Sequence, residues 1–242
     1  MRKNTDSNSV IVFDCVSKTY DGHDRALIDA SFSVPRGAFA CIVGPSGEGK
    51  STILRIIAGL ESPTKGTVVR PEKVSMVFQS GALMPWLTVQ ENIALPLSVS
   101  GMDSAKAARI AKRYALFLGL KGALGKVPRD LSGGERERVG IARALAANAP
   151  VILLDEPFSA LDPRLTDELH KDLLATWRET GTTIVMVSHS IEEAVSLATH
   201  IFLVKEYSVL KEYRIDLPYP RREHAAGFMR ETAQIRRAFF KR

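Results

Sequence analysis

The stretch Ala38-Phe39-Ala40-Cys41-Ile42-Val43-Gly44-Pro45-Ser46-Gly47-Glu48-Gly49-Lys50-Ser51-Thr52 joins a short apolar run to a glycine-rich loop. Ile53, Leu54, Ile56, Ile57 and Leu60 follow at helical spacing. An unbroken apolar run suits a strand buried on both faces, so strand, loop and helix open an α/β unit. Gly44–Ser51 matches G-x-x-x-x-G-K-[ST] in full. The chemistry explains the residue types. Glycines let backbone N–H groups converge on phosphate oxygens, and the helix that follows turns its first amides and its dipole toward the anion. Lys50 offers a point charge to the β- and γ-phosphates, and the Ser51 hydroxyl is a ligand for Mg²⁺. A flexible glycine turn has a similar composition but lacks this placement between strand and helix. Glu48 is an oddity, since an acid beside a triphosphate is unfavourable unless its side chain points outward, as we expect it to. The loop indicates a nucleoside triphosphate without naming the reaction.

On the N-terminal side, Val10-Ile11-Val12-Phe13 and the alternating Ala30-Ser31-Phe32-Ser33-Val34 read as strands, with turns near Asp21-Gly22 and Pro35-Arg36-Gly37. Beyond the loop, residues 88–147 read mostly as helix. Asp103 is a candidate N-cap for a helix over Ser104–Leu118, with Ile110, Tyr114, Phe117 and Leu118 on its apolar side. A further helix is expected from about Ser132 to Ala146. Parallel-strand character returns at Val151–Leu154, followed by a helix at Pro163–Thr180, a strand at Thr182–Val187, a helix at Ser190–Ala198 and a strand at Ile201–Val204. A helical insertion thus interrupts an α/β core.

Two further stretches carry chemistry. Val151-Ile152-Leu153-Leu154-Asp155-Glu156 ends a buried strand in two acids at the edge where α/β folds bind ligands. Asp155 is placed to hold the Mg²⁺ shell, and Glu156 to orient and deprotonate a water. Two ordinary surface acids at a strand exit are the alternative. Leu131-Ser132-Gly133-Gly134-Glu135 opens the next helix, where a hydroxyl and unpaired amides make an anion site. A plain serine cap with two glycines relaxing the turn is the alternative there.

The 242 residues are 45% hydrophobic and 25% charged, proportions that exclude intrinsic disorder. The net charge is +6, of which residues 205–242 hold +5, with ten Lys and Arg against five Asp and Glu. A basic tail on a nearly neutral body is not the footprint of a nucleic-acid grip. That tail suits an amphipathic helix built around Phe228, Met229, Ile235, Phe239 and Phe240, either packed on its own core or touching a membrane surface or membrane partner. No apolar run reaches bilayer length and the N-terminus lacks a secretory segment, so a soluble, cytosolic chain is expected. Cys15 and Cys41 lie in apolar, strand-like settings and are expected as small core hydrophobes. His23, His170, His189, His200 and His224 show no metal-ligand spacing.

Taken in order, these motifs resemble those of the ATP-binding subunits of ABC (ATP-binding cassette) transporters, across residues 10–220 or so. The resemblance implies an α/β P-loop NTPase core with an N-terminal antiparallel β subdomain and an inserted α-helical subdomain. Residues 1–242 would form a single cassette, with the helical part at about 88–147 and the basic tail at 205–242. It also implies roles. Tyr20 stacks on adenine. Gly44, Pro45, Ser46, Gly47, Glu48, Gly49, Lys50, Ser51 and Thr52 hold the phosphates of ATP. Gln79 touches Mg²⁺ and water and links the site to the membrane partner. Ser132, Gly133 and Gly134 bind the γ-phosphate of ATP held on a second subunit. Ser51, Gln79 and Asp155 form the Mg²⁺ set, Glu156 is the base, Asp162 belongs to a segment crossing the dimer interface, and His189 contacts the γ-phosphate. Three positions depart from the family pattern: Glu135 stands for the usual Gln or Met, Glu137 for Gln, and Ser190 for the Asp of importers.

The run Phe78-Gln79-Ser80-Gly81-Ala82-Leu83-Met84-Pro85-Trp86-Leu87-Thr88-Val89-Gln90-Glu91-Asn92-Ile93 is similar to that of bacterial importers. Read from the residues alone, Met84 to Leu87 would be core; the resemblance makes them a groove that receives a helix of the membrane subunit. The tail Asp216-Leu217-Pro218-Tyr219-Pro220-Arg221-Arg222 is similar to that of the nitrate, sulfonate, taurine and bicarbonate import group. The implied assembly has two ATPase subunits (identical or paralogous), two transmembrane permease subunits and, indirectly, a secreted or periplasmic substrate-binding protein, with no nucleic acid. It would sit at the cytoplasmic face of the inner membrane. An exporter ATPase, a non-transport ABC ATPase and an inactive nucleotide sensor are the competing readings.

Overall fold

Alternating apolar residues draw Ser9–Tyr20 (β1) and Asp24–Pro35 (β2) into an antiparallel pair, with Phe13 opposite Phe32 and Val12 opposite Ser33. In the computed structural model, which describes residues 8–21, 24–78, 82–159 and 161–240, the chain divides into two compact units. The first comprises residues 1–72 and 181–242, the second residues 73–180. The second is wider than the insertion read from the sequence, because two strands and a long helix go with it.

In the first unit, Lys65–Val69 (β4) pairs with β1 and completes a three-stranded antiparallel sheet in the order β2-β1-β4. β4 is nearly all exposed and has no apolar alternation, which hid it from sequence reading. Phe39–Val43 (β3) is buried at every residue, as its unbroken apolar run requires. Thr183–Ser188 (β7) and His200–Lys205 (β8) flank it in parallel, and Ser208–Arg214 (β9) adds antiparallel to β8. Stacked Phe13 and Phe32, ring centroids 4.6 Å apart, continue to Phe202 at 5.0 Å and join the two sheets of this unit. Each such ring contributes roughly 1.5–3 kcal/mol by burial. Lys50–Ala58 (α1), Ile191–Leu197 (α6) and Ala225–Phe240 (α7) are its helices. α1 ends at Ala58 with Gly59 as its cap at φ 74°, two residues short of the Leu60 expected from the sequence, which leaves Leu60 exposed. Cys41 is buried, but Cys15 is exposed, because a bulge between Phe13 and Val16 turns it out of the sheet.

In the second unit, Ser75–Val77 (β5) and Val151–Asp155 (β6) form a parallel pair. Val89–Val99 (α2), Ser104–Phe117 (α3), Gly133–Ala146 (α4) and Pro163–Thr180 (α5) complete it. Asp103 caps α3 by accepting the Lys106 amide at 3.0 Å. The buried face of that helix differs from expectation. Ala107, Ala111 and Ala115 are buried with Leu118, while Phe117 is exposed and Ile110 and Tyr114 are half-buried. The small alanines let neighbouring helices approach closely, which outweighs the size of the aromatic side chains. No helix among the described residues is long and apolar enough to cross a membrane.

Candidate functional site

In the first unit the phosphate loop follows β3. Parallel pairing sets Val43 opposite Ser188, so Gly44 and His189 emerge one residue later from adjacent strands of one sheet. Gly49 caps α1 at φ 84° and offers no side-chain cap to its amides. A Cβ there would come within 1.9 Å of the Ala26 carbonyl, and one at Gly44 within 2.3 Å of the Val204 carbonyl. Gly47 is required for a different reason: its surroundings are open, but its φ is 82°. The loop therefore fits an anion, with a glycine-lined backbone and a helix N-terminus that has no side-chain cap. Lys50 is buried and donates to the Pro45 carbonyl at 2.6 Å, which closes the loop on itself. The Glu48 carboxylate accepts the Tyr207 amide at 2.8 Å, a bond to the turn between β8 and β9.

Tyr20, at the end of β1, donates to Glu61 at 2.5 Å, and its hydroxyl lies 3.4 Å from that of Thr52 in α1. Burial, with Glu61 adding to it, raises the phenol above its ordinary range and keeps it a donor. The Lys18 ammonium lies 5.2 Å from the ring centroid. The His189 turn is held by its neighbours. The Ser190 amide donates to the Ser188 hydroxyl at 3.0 Å, and the Ser190 hydroxyl accepts the Glu193 amide at 3.2 Å to cap α6. Ser190 thus does the capping that an Asp at this position would do, so this departure leaves the turn intact.

In the second unit β6 delivers Asp155, buried, and Glu156 directly after it. Glu156 has φ 49°, a left-handed conformation uncommon for a residue with a side chain. The Ser159 amide and hydroxyl both donate to its carbonyl, at 3.3 and 3.0 Å, and fix that turn. Asp162 accepts the amides of Arg164 and Leu165, each at 3.1 Å, and starts α5. Gly134 belongs to the same packing: a Cβ on it would meet Leu165 at 2.9 Å and Leu161 at 3.0 Å. The glycine motif and the segment around Asp162 are thereby brought together, a contact no spacing rule reveals. Ser51 and Asp155 are hard oxygen donors, the type Mg²⁺ takes. Gln79 lies outside the described residues.

Ser132 caps α4, its hydroxyl accepting the Glu135 amide at 3.2 Å while the Glu135 carboxylate accepts the Ser132 amide at 2.8 Å. This reciprocal capping box explains the acid at position 135. The Ser132 amide holds the Glu135 carboxyl below its usual range. The Ser132 hydroxyl, already an acceptor, still has a proton to donate. Sequence reading missed Asn92. It is fully buried in α2; its side chain accepts the Met84 amide at 2.8 Å and donates to the carbonyls of Met84, Leu87 and Thr88 at 3.1, 2.9 and 3.0 Å. That clamp holds the Met84–Leu87 turn with Trp86 73% exposed, so these residues are not core.

The sequence profile of the family described as "ABC transporter" matches residues 27–159. The nitrate import ATP-binding protein NrtD of Synechocystis sp. is 39% identical over 203 residues, covering 80% of this chain and 76% of that protein. The aliphatic sulfonates import ATP-binding protein SsuB of Escherichia coli K12 is 37% identical, and SsuB 1 of Shouchella clausii 40%, each over 88% of this chain and 84% of its own length. Two solved dimeric ATP-binding cassettes superpose with TM-scores of 0.78 and 0.79 at 34% identity, covering 85% of this chain and 98% of theirs; the first is a post-hydrolysis state bound to ADP and Pi. On this likeness, which spans the phosphate loop, the acidic strand end and the capped Ser-Gly-Gly helix, this chain belongs to the ABC transporter family as an ATP-binding cassette.

Proposed function

We propose that the chain is the ATP-hydrolysing subunit of an importer for a small anion or organic solute of the nitrate or sulfonate kind. It would act at the cytoplasmic face of the membrane on two permease subunits, fed by a separate substrate-binding protein. The observation that carries the reading is the parallel register of β3 and β7, which starts the phosphate loop and the His189 turn side by side. Gly44–Ser51 and Thr52 bind the phosphates, with Tyr20 against the base. Two such chains would pair so that Ser132, Gly133 and Gly134 of one meet the γ-phosphate bound by the other. Ser51, Gln79 and Asp155 would hold Mg²⁺, which neutralises charge on the β- and γ-phosphates when bound.

Phosphoryl transfer asks mainly for positioning and charge stabilisation. Glu156 takes the proton of the attacking water, and the strained φ that fixes its backbone supports that role. His189 and Lys50 steady the γ-phosphate, and Asp162 contributes at the dimer interface through the turn it caps. Closure and reopening of the pair would then bias the two states of the permease, with the exposed Trp86 turn offering the contact surface. Glu156→Gln should leave ATP binding intact, lower phosphate release by about 100-fold or more, and trap an ATP-bound dimer visible by size-exclusion chromatography. Wild-type turnover by this variant would remove Glu156 from the role of base.

A further inference from the structure

Away from the nucleotide motifs, α7 and the first turn of α6 line an open cleft of about 620 Å³, a volume within the usual range for small-molecule sites. Phe228 and Met229 supply its apolar wall, and Met229 is 68% exposed. Thr232 also lines it; the residue is 7% exposed, and its hydroxyl oxygen has no hydrogen-bond partner among the described residues. Arg236 and Arg237 line the next turn of the helix. The one acid among the lining residues is Glu192, and Arg236 already bonds to it. A purely apolar occupant would cover the two guanidinium groups without answering the one positive charge that Glu192 leaves over, and an inorganic anion would leave Phe228 and Met229 in water.

We propose that this cleft binds an organic anion with an apolar body, such as an alkyl sulfonate or carboxylate. Its head meets Arg236 and Arg237 and its chain lies on Phe228 and Met229. The cleft also reaches the His189 turn, because Glu192 accepts the Ser190 hydroxyl at 3.4 Å with the oxygen that Arg236 does not use. An occupant that draws Arg236 away leaves Glu192 to Ser190 alone. That consequence rests on the role proposed for His189; the binding itself does not.

Isothermal titration of the full chain with sodium 1-octanesulfonate, and with octyl glucoside as an uncharged counterpart, tests the site. The expected result is saturable binding of the sulfonate and none of the glucoside. The affinity should fall about tenfold or more in the Arg236→Gln/Arg237→Gln double variant and in Met229→Glu. These positions are exposed, and circular dichroism melting checks that the variants fold. Undiminished sulfonate binding by the folded variants, or equal binding of the glucoside, would overturn the proposal. Sedimentation with phosphatidylglycerol vesicles without sulfonate binding, lost in the same variants, would overturn it in favour of a lipid surface. The ATPase rate at sulfonate saturation reads the consequence separately: a change supports it, and binding without change keeps the site but removes its link to His189.

Discussion

Glu137 shows how one side chain departs from pattern at a cost. It lies in α4, 6% exposed, and one carboxylate oxygen has no hydrogen-bond partner among the described residues. Burial pushes its carboxyl up to about 7. The unfolded chain releases that proton near pH 4.5 and the folded chain holds it to about 7. Any stability that depends on the proton is therefore complete below pH 4.5, falls as pH rises, and is gone above 7. Glu137→Gln, which cannot ionise, should be nearly neutral at pH 4.5 and stabilise by on the order of 2 kcal/mol at pH 8. Urea unfolding midpoints at the two pH values check this. Glu135 behaves oppositely although it is two residues away, because the Ser132 amide answers its charge.

At the scale of elements, α2 matters for what it holds outside itself. Its own start is secured by a capping box between Thr88 and Glu91. One turn in, Asn92 reaches back and satisfies four polar groups of residues 84–88. Asn92→Leu keeps the volume but strips the Met84 amide and the Leu87 carbonyl of their side-chain partner, while the Met84 and Thr88 carbonyls keep backbone donors, so it should destabilise the protein by about 2–3 kcal/mol. Thermal unfolding reads that loss, and faster proteolytic cleavage within residues 84–88 would show that the Trp86 turn has been released. α3 carries a related lesson. Helical period and capping residue are visible in its sequence, but the buried stripe is alanine and not the large apolar residues.

At the scale of the whole chain, the basic tail is less basic than its composition suggests. Arg221 is 2% exposed and stacks on Tyr219, 4.2 Å from the ring centroid. It donates to the carbonyls of Leu217, Val195, Ala198 and Ile215. Two of those carbonyls lie at the end of α6, so the guanidinium closes that helix as well as pinning the tail. Arg236 is paired with Glu192, and α7 packs on its own unit through fully buried Ile235. Arg221→Lys retains the charge but not the fork, and should cost about 2–4 kcal/mol in chemical denaturation. An unchanged midpoint would mean that the four carbonyls have other partners.

How much was legible in the sequence follows from where the information resides. The phosphate loop, the acids at the end of β6 and the caps Asp103 and Ser132 are local: each depends on residues close together in the chain, so spacing alone exposes them. Helical and strand periods are local too, which is why α4 and α5 lie where periodicity predicts them. The exposed edge strand β4, the outward turn of Cys15, the burial of Arg221 and the Asn92 clamp depend on partners that only folding supplies. The same holds for the site. The sequence by itself determined which groups are proposed for phosphate chemistry, because their types and short spacings are what that chemistry requires. Only the tertiary structure decided that Gly44 and His189 start side by side and that Gly134 seats against Leu161 and Leu165, since strand register and side-chain contact join residues far apart in the chain.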